Sequence, residues 1–473
     1  MLFNSFHFIV FFIVVYSFYL LLNYKWQNRM LLAASYYFYA CWDWRFLSLL
    51  LAVTLFNFHC AKWIYNAKNG KRKKLLLVLS VAFNLSVFCF FKYTNFFISN
   101  LIELLKATGL HINLISLNII LPLGISFFTF QVLGYIIDVY RGNMDPEEDL
   151  LTFALFKAYF PQLVAGPIER ANNLLVQLRS PRSVNFDNIV DGLWLILWGF
   201  FLKIFMADNL GNIVNETFKI GASTDGFSAL IGVYSFAFQI LGDFAGYSSI
   251  AIGVSKLMGI NLRTNFLYPY FVTNPRDFWR NWHISLSTWL RDYLYIPLGG
   301  NRSSTLLTYR NLFITMLLGG LWHGAEWTFV VWGVYHGIIL IIYRIIQPYI
   351  PKQSFQRKLG ILWKGTKILF MFHVVCLGWL FFRSESLAMG ISMLRNIVFN
   401  SSELTIMAKT RLWGLFSYTW LFLIIQYIQY TQKSELIRAK IAPTIKISLL
   451  LLIIYSIIIW GEHYAKVFIY FQF

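Results

Sequence analysis

LLGGLWHGAEWTFVVWGVYHG, from Leu317 to Gly337, sets one histidine, His323, between glycines inside an apolar, aromatic run. An ionisable side chain at membrane depth is costly to place, so by default it marks chemistry or a pathway. Gly319, Gly320 and Gly324 leave room for backbone or substrate to approach, and an imidazole that titrates near neutrality is the usual general base. The sequence HGAE does not make a zinc-protease helix, because HExxH needs its glutamate directly after the first histidine and a second histidine three further on. His336 lies thirteen residues beyond His323, on another face if one helix carries both, and reads as a packing or capping residue.

The rest of the chain supplies the membrane. Its 473 residues are 58% hydrophobic, 19% aromatic and 13% charged, too apolar for one water-soluble core. Runs long enough to span a hydrocarbon core of about 30 Å recur throughout. They lie around Phe6–Leu22, Phe46–Ala61, Leu75–Phe97, Ile115–Ile137, Val190–Met206, Ser228–Leu241, Phe329–Ile346, Ile361–Phe382, Leu412–Ile428 and Ile447–Trp460. Shorter ones fall at Met30–Trp42, Ser248–Met258 and Asn311–Trp322. The expectation is an all-α polytopic membrane protein of about ten to twelve spans, some of the short ones re-entrant. No repeat, low-complexity tract or soluble domain interrupts residues 1–473, which read as one integral membrane domain. The first apolar segment lacks a preceding basic residue and a small-residue cleavage site, so it is expected to stay as an anchor.

A net charge of +19 would suggest nucleic acid in a soluble domain. Here the basic residues gather in short loops, which orientation explains better. Lys62, Lys68, Lys71, Arg72, Lys73 and Lys74 place the loop between Ala61 and Leu75 in the cytoplasm, and Gln347–Lys367 reads the same way. The acidic run Asp145–Asp149 says little about orientation. Cys41, Cys60, Cys89 and Cys376 show no CxxC pairing, so neither a disulfide nor a structural metal is expected.

Three stretches depart from simple spanning helices. VAGPIER, Val164–Arg170, breaks an apolar run with Gly166-Pro167, and irregular backbone at membrane depth survives only where protein or trapped water satisfies it. Gln239, Asp243, Tyr247 and Ser248 punctuate the next. There Gly242 and Gly246 can bring two helices close, and Asp243 is either paired to a neighbouring arginine or part of a pocket wall. The third, Asn274–Gly300, has a capping Asn274, Pro275 in the first turn and Pro297 with Gly299-Gly300 at the end, the punctuation of one helix of about six turns. It carries Arg276, Asp277, Arg280, Arg291 and Asp292, so it must lie at an interface or border a hydrated cavity. On it His283 and Ser287 would share a face with Arg280.

RNWHISLSTWLRDYLYIPLGGNR (Arg280–Arg302) followed by TMLLGGLWHGAEWTFVVWGVYHG (Thr315–Gly337) resembles the signature of the membrane-bound O-acyltransferase family, in its bacterial alginate O-acetyltransferase branch. LPLGISFFTFQVLGYIIDVYRG (Leu121–Gly142), YFPQLVAGPIER (Tyr159–Arg170) and GDFAGYSSIAIG (Gly242–Gly253) are similar to further blocks of that branch. The resemblance implies spanning, re-entrant and tilted helices around a tunnel, with a catalytic core at about residues 120–340. It maps His323 onto the catalytic histidine and His283 onto the second tunnel histidine. Arg280, Asn281, Ser287, Asp243, Gln239, Tyr247 and Trp322 are then candidates for binding substrate or the developing oxyanion. It further implies acetyl-CoA as donor with no bound cofactor, an exported polysaccharide as acceptor, an extracytoplasmic SGNH-type acetyltransferase partner, and the bacterial cytoplasmic membrane as location. Gly242 and Glu326 depart from the branch, where a bulkier and a neutral polar residue are expected. D-alanyl transfer to teichoic acid by a sister enzyme is the nearest alternative. A transporter would also explain buried charges, but two related halves with matching broken helices are not visible.

Overall fold

The computed structural model describes residues 1–110, 117, 119–302, 304–350, 360–401, 403–434, 442–462, 464, 466, 468 and 469. All regular structure among them is helical. In chain order the first helices are α1 (Phe6–Leu21), α2 (Tyr24–Asp43), α3 (Arg45–Asn66), α4 (Gly70–Ala107), α5 (Ile125–Arg141), α6 (Leu150–Ala158), α7 (Phe160–Leu163) and α8 (Ala171–Leu178). Then come α9 (Phe186–Phe200), α10 (Asp208–Ile220), α11 (Gly226–Leu257), α12 (Pro275–Asn281), α13 (Ile284–Leu290), α14 (Thr305–His323) and α15 (Trp327–Ile346). The last are α16 (Gly360–Arg383), α17 (Leu387–Phe399), α18 (Ile406–Gln432) and α19 (Pro443–Trp460). Side-chain oxygens start many of them: Ser5 caps α1, Asn23 α2, Asn69 α4, Ser304 α14, Ser386 α17 and Thr405 α18, each accepting from a first-turn N–H.

The chain is a multi-pass membrane protein. Seven stretches among the described residues are long and apolar enough to cross a bilayer: α3, α4, Phe186–Ser223, α11, Trp327–Tyr349, Leu362–Arg383 and α19. α1 and α17 are apolar but shorter. Two segments separate in the sequence, Ser228–Leu241 and Ser248–Met258, are one helix, α11, because the polar residues between them are buried and partnered instead of ending it. The start of the Ile115–Ile137 run, and Lys352, Arg357 and Lys358 of the basic loop, lie outside the described residues.

By contacts the chain divides into a unit of residues 1–192 with 254–263 and a unit of residues 193–253 with 264–473. In the first, the VAGPIER break has no helix from Val164 onward, yet Val164 to Glu169 are buried. Within the break the Gly166 N–H donates to the Gln162 carbonyl at 3.1 Å, and side chains brace the turn between α6 and α7 just before it. Ser35 Oγ accepts the Phe160 N–H at 3.1 Å, and Gln131 and Gln162 both donate to the Phe156 carbonyl at 2.8 Å. The Glu169 carboxylate accepts from the Arg263 N–H and, at 2.6 Å, from Asn173. Of the acidic run, Glu147 pairs with Arg179 at 2.6 Å and Asp149 caps α6.

In the second unit, α9 continues through a π-helical segment, Phe201–Ala207, into α10. α11 packs against it where Gly199 meets Gly246: a Cβ on Gly199 would come within 2.6 Å of the Gly246 carbonyl, so the Gly242/Gly246 pair serves the close approach expected of it. Beside this crossing Lys203 lies 2.7 Å from both Asp208 and Asp243. Asp243 is thus paired, though to a lysine and not the expected arginine. Its other oxygen accepts the Ile469 N–H at 2.6 Å. α14 and α15 pack along each other with Gly320 facing Gly333.

Candidate active site

The expected six-turn helix over Asn274–Gly300 is not one helix. α12 ends at Asn281, Trp282 is extended, His283 is left-handed (φ 42°, ψ 55°), and α13 restarts at Ile284 before a π-helical segment, Arg291–Tyr295. A left-handed backbone is unfavourable for a residue with a Cβ and persists only where its surroundings over-determine it. Here Asn265 does so. Its carbonyl accepts the Ile284 N–H at 2.9 Å, and its side-chain oxygen accepts the Ser285 N–H and, at 2.9 Å, the Ser285 hydroxyl. Its amide donates to Ser248 at 3.2 Å, and two residues on Leu267 N–H donates to the Asn281 carbonyl at 3.0 Å.

The break points the His283 ring away from its helix neighbours in sequence and into a fully buried aromatic setting. Its centroid is 4.6 Å from Phe244 and 5.9 Å from Trp322. His323 is the last residue of α14, only 4% exposed, with Trp322 at 5.0 Å, Trp332 at 4.9 Å and Phe382 at 5.4 Å. Both histidine rings therefore touch one indole, that of Trp322: His323 follows it in α14, and His283 reaches it from the break between α12 and α13. Gly324 has to be glycine here, because a Cβ would collide with the Phe329 ring.

Of the other candidates, Tyr247 reaches this neighbourhood through Phe468, whose ring lies 5.1 Å from Tyr247 and 5.6 Å from Phe244. Arg280 and Asn281 are not gathered with the histidines. Arg280 is exposed and pairs loosely with Asp277 at 3.6 Å, and the Asn281 amide donates to the Asp277 carbonyl at 2.7 Å. Ser287 donates to the Ile284 carbonyl at 3.3 Å, and with the helix broken it does not share the face with Arg280 that one continuous helix would give. Gln239 lies against Gly211 of α10, and Asp243 is held by Lys203. Trp332, Phe382 and Asn265 were not singled out from the sequence. Trp332 and Phe382 sit in apolar runs where every aromatic residue reads alike, and Asn265 lies in an irregular segment without periodicity.

Beside the Asn265 brace a small pocket, about 30 Å³ in cavity volume, is lined by Trp198, Ser248, Asn265, Phe266, Gln426 and Gln429 among others, with apolar walls and a few amides and hydroxyls. No group of three or more His, Cys, Asp or Glu among the described residues is placed to hold a metal ion.

Residues 147–384 match the model of MBOAT, the membrane-bound O-acyltransferase family, and the chain belongs to that family as an O-acyltransferase. It is 40% identical over 423 residues to the probable alginate O-acetylase of Pseudomonas putida, covering 88% of this chain and 84% of that protein. The peptidoglycan O-acetyltransferase of Helicobacter pylori is 37% identical over 394 residues, 78% of this chain and 73% of that protein. The teichoic acid D-alanyltransferase of Streptococcus thermophilus is 33% identical over 236 residues, 46% of this chain and 56% of that protein.

Proposed function

We propose that this chain moves an acetyl group from cytoplasmic acetyl-CoA across the bacterial cytoplasmic membrane for O-acetylation of an exported polysaccharide, working with an extracytoplasmic SGNH-type acetyltransferase. The observation that carries the reading is His323 at the end of α14, buried and sharing the Trp322 indole with His283. In the transfer His323 takes the proton of the acceptor hydroxyl as its oxygen attacks the thioester carbonyl. The carbon–sulfur bond then breaks and His323 returns the proton to the leaving thiolate, so the imidazole is unchanged after each turnover. His283, held by the Asn265 brace and 5.9 Å from the Trp322 ring, is the assisting group that orients substrate or meets the developing oxyanion. Basic loops on the cytoplasmic side suit the donor's phosphates. The 40% identity to an alginate O-acetylase and the 37% identity to a peptidoglycan O-acetyltransferase support acetyl as the group moved and a glycan as its destination.

The test uses wild-type and His323→Ala protein in nanodiscs and follows loss of labelled acetyl-CoA thioester with and without the partner. Wild type is expected to turn over and the variant to lose about 10²–10⁴-fold, the usual worth of a general base. His323→Gln, which keeps more of the side-chain volume, repeats the test if the cavity left by alanine prevents folding. No turnover by folded wild type in any combination would sink the acetyl reading, and D-alanyl transfer from a carrier protein would be examined next.

A further inference from the structure

His336 is the histidine that the site described above does not use. It lies on α15 with no exposed surface, its ring stacked on Phe278 (5.9 Å, 11° between planes) and edge-on to Trp279 at 5.1 Å and Trp332 at 4.6 Å. Neither of its nitrogens has a hydrogen-bond partner among the described residues. The same holds for the indole N–H groups of Trp282, Trp332 and Trp379, each no more than 1% exposed. These rings are one cluster: Trp379 lies 5.9 Å from Trp332 and 4.9 Å from Trp282. Opposite His336, Gly378 of α16 leaves the backbone bare, and a Cβ there would come to 3.1 Å from Nε2.

Buried polar groups are almost always hydrogen-bonded, and an unmet one is costly. If packing were all that this position required, a phenyl ring would make the same stack on Phe278 without that cost. Four heteroaromatic polar groups gathered in one core call for a shared polar partner, and the small one that such a core accommodates is water. The cluster also touches the reaction centre, since the His336 and His323 rings flank the same Trp332 indole, at 4.6 and 4.9 Å.

We propose that His336 is a positioning residue of the acyl-transfer site: with the N–H groups of Trp282, Trp332 and Trp379 it anchors a small cluster of ordered water that fixes Trp332 and, through it, the His323 ring. The inference rests on His323 being the base, and it needs a readout that does not depend on turnover. Histidine-selective ¹⁵N NMR in nanodiscs gives one, with His323→Ala assigning the His323 ring signals. His336→Phe is expected to stay folded, because a phenyl ring keeps the stack on Phe278, yet to move the His323 ring signals. Acetyl-CoA turnover should fall on the order of 10²-fold, as for a misplaced catalytic group. His336→Asn, which keeps a polar partner for the water, should restore both toward wild type. His336→Leu repeats the test if the larger phenyl ring prevents folding. Unchanged His323 signals in a folded His336→Phe or His336→Leu protein would overturn the inference whatever the turnover. A wild type that moves no acetyl group while His336→Phe still shifts those signals would instead count against the acetyl reading alone.

Discussion

Replacing Lys203 with methionine keeps the length of the side chain and removes the cation that, among the described residues, pairs with both Asp208 and Asp243. All three residues are at most 4% exposed, and Nζ lies 2.7 Å from an oxygen of each carboxylate. Breaking a buried ion pair from one side costs about 3–5 kcal/mol, because a charge stays behind in a poor solvent. Two carboxylates would remain, but one can take up a proton and hydrogen-bond to the other, and Asp243 keeps the Ile469 N–H. That relief sets the expectation at the lower end, about 3 kcal/mol. At roughly 2–4 °C per kcal/mol for a unit of this size, the apparent melting temperature should fall by about 6–12 °C. Tryptophan fluorescence during a thermal ramp in nanodiscs measures it. Adding Asp208→Asn and Asp243→Asn should recover most of the loss, since a neutral group is far cheaper to bury than an unpaired charge. A Lys203→Met protein melting within about 2 °C of wild type, under 1 kcal/mol on the same scale, would refute the reasoning. The triple variant also decides between the two sequence readings of Asp243. Turnover kept at the wild-type level marks the carboxylate as structural, and turnover lost from a stable triple variant marks it as part of the substrate wall.

Two further outcomes follow from side chains that hold local geometry. Asn265→Ala removes the side-chain bonds to Ser285 and Ser248 that brace the left-handed His283, at about 1 kcal/mol each; acetyl-CoA turnover should fall much further than stability, and equal losses in both would show that the brace does not govern the histidine. Asp149 caps α6 through the Thr152 N–H and hydroxyl and the Leu151 N–H, and Asp149→Ala should cost about 1 kcal/mol at neutral pH. Burial pushes its carboxyl up, but the bonds from Thr152 and Leu151 outweigh this and hold it below its usual 3.8. A lowered pKa gives stability that is present above the unfolded value and lost as pH falls through the folded one. The gap in melting temperature between wild type and Asp149→Ala should therefore be constant above about pH 5 and narrow below pH 3.8, and a gap independent of pH would contradict the cap.

The sequence by itself determined that this chain lives in a bilayer and which polar residues in it demand explanation. Both follow from costs carried by single residues and short runs: an apolar stretch of sufficient length partitions into hydrocarbon, and a histidine such as His323 is expensive there wherever the chain folds. The long ordered blocks around His283 and His323 carried the family for the same reason, being contiguous in the chain. The six-turn helix was misread because caps and prolines mark the ends of Asn274–Gly300 but nothing inside it announces a break. That break is imposed from outside by Asn265, eighteen residues earlier. The partner of Asp243 was likewise invisible, since Lys203 lies forty residues away on a helix brought near by Gly199 and Gly246. The same distinction separates His323 from His336. The first stands out against its glycines in the sequence, while the second reads as ordinary packing until α12 brings Phe278 and Trp279 onto its ring beside Trp332. Hydrogen-bond satisfaction and ring contacts are pairwise properties of atoms distant in the chain, and only the tertiary structure decides which atoms meet.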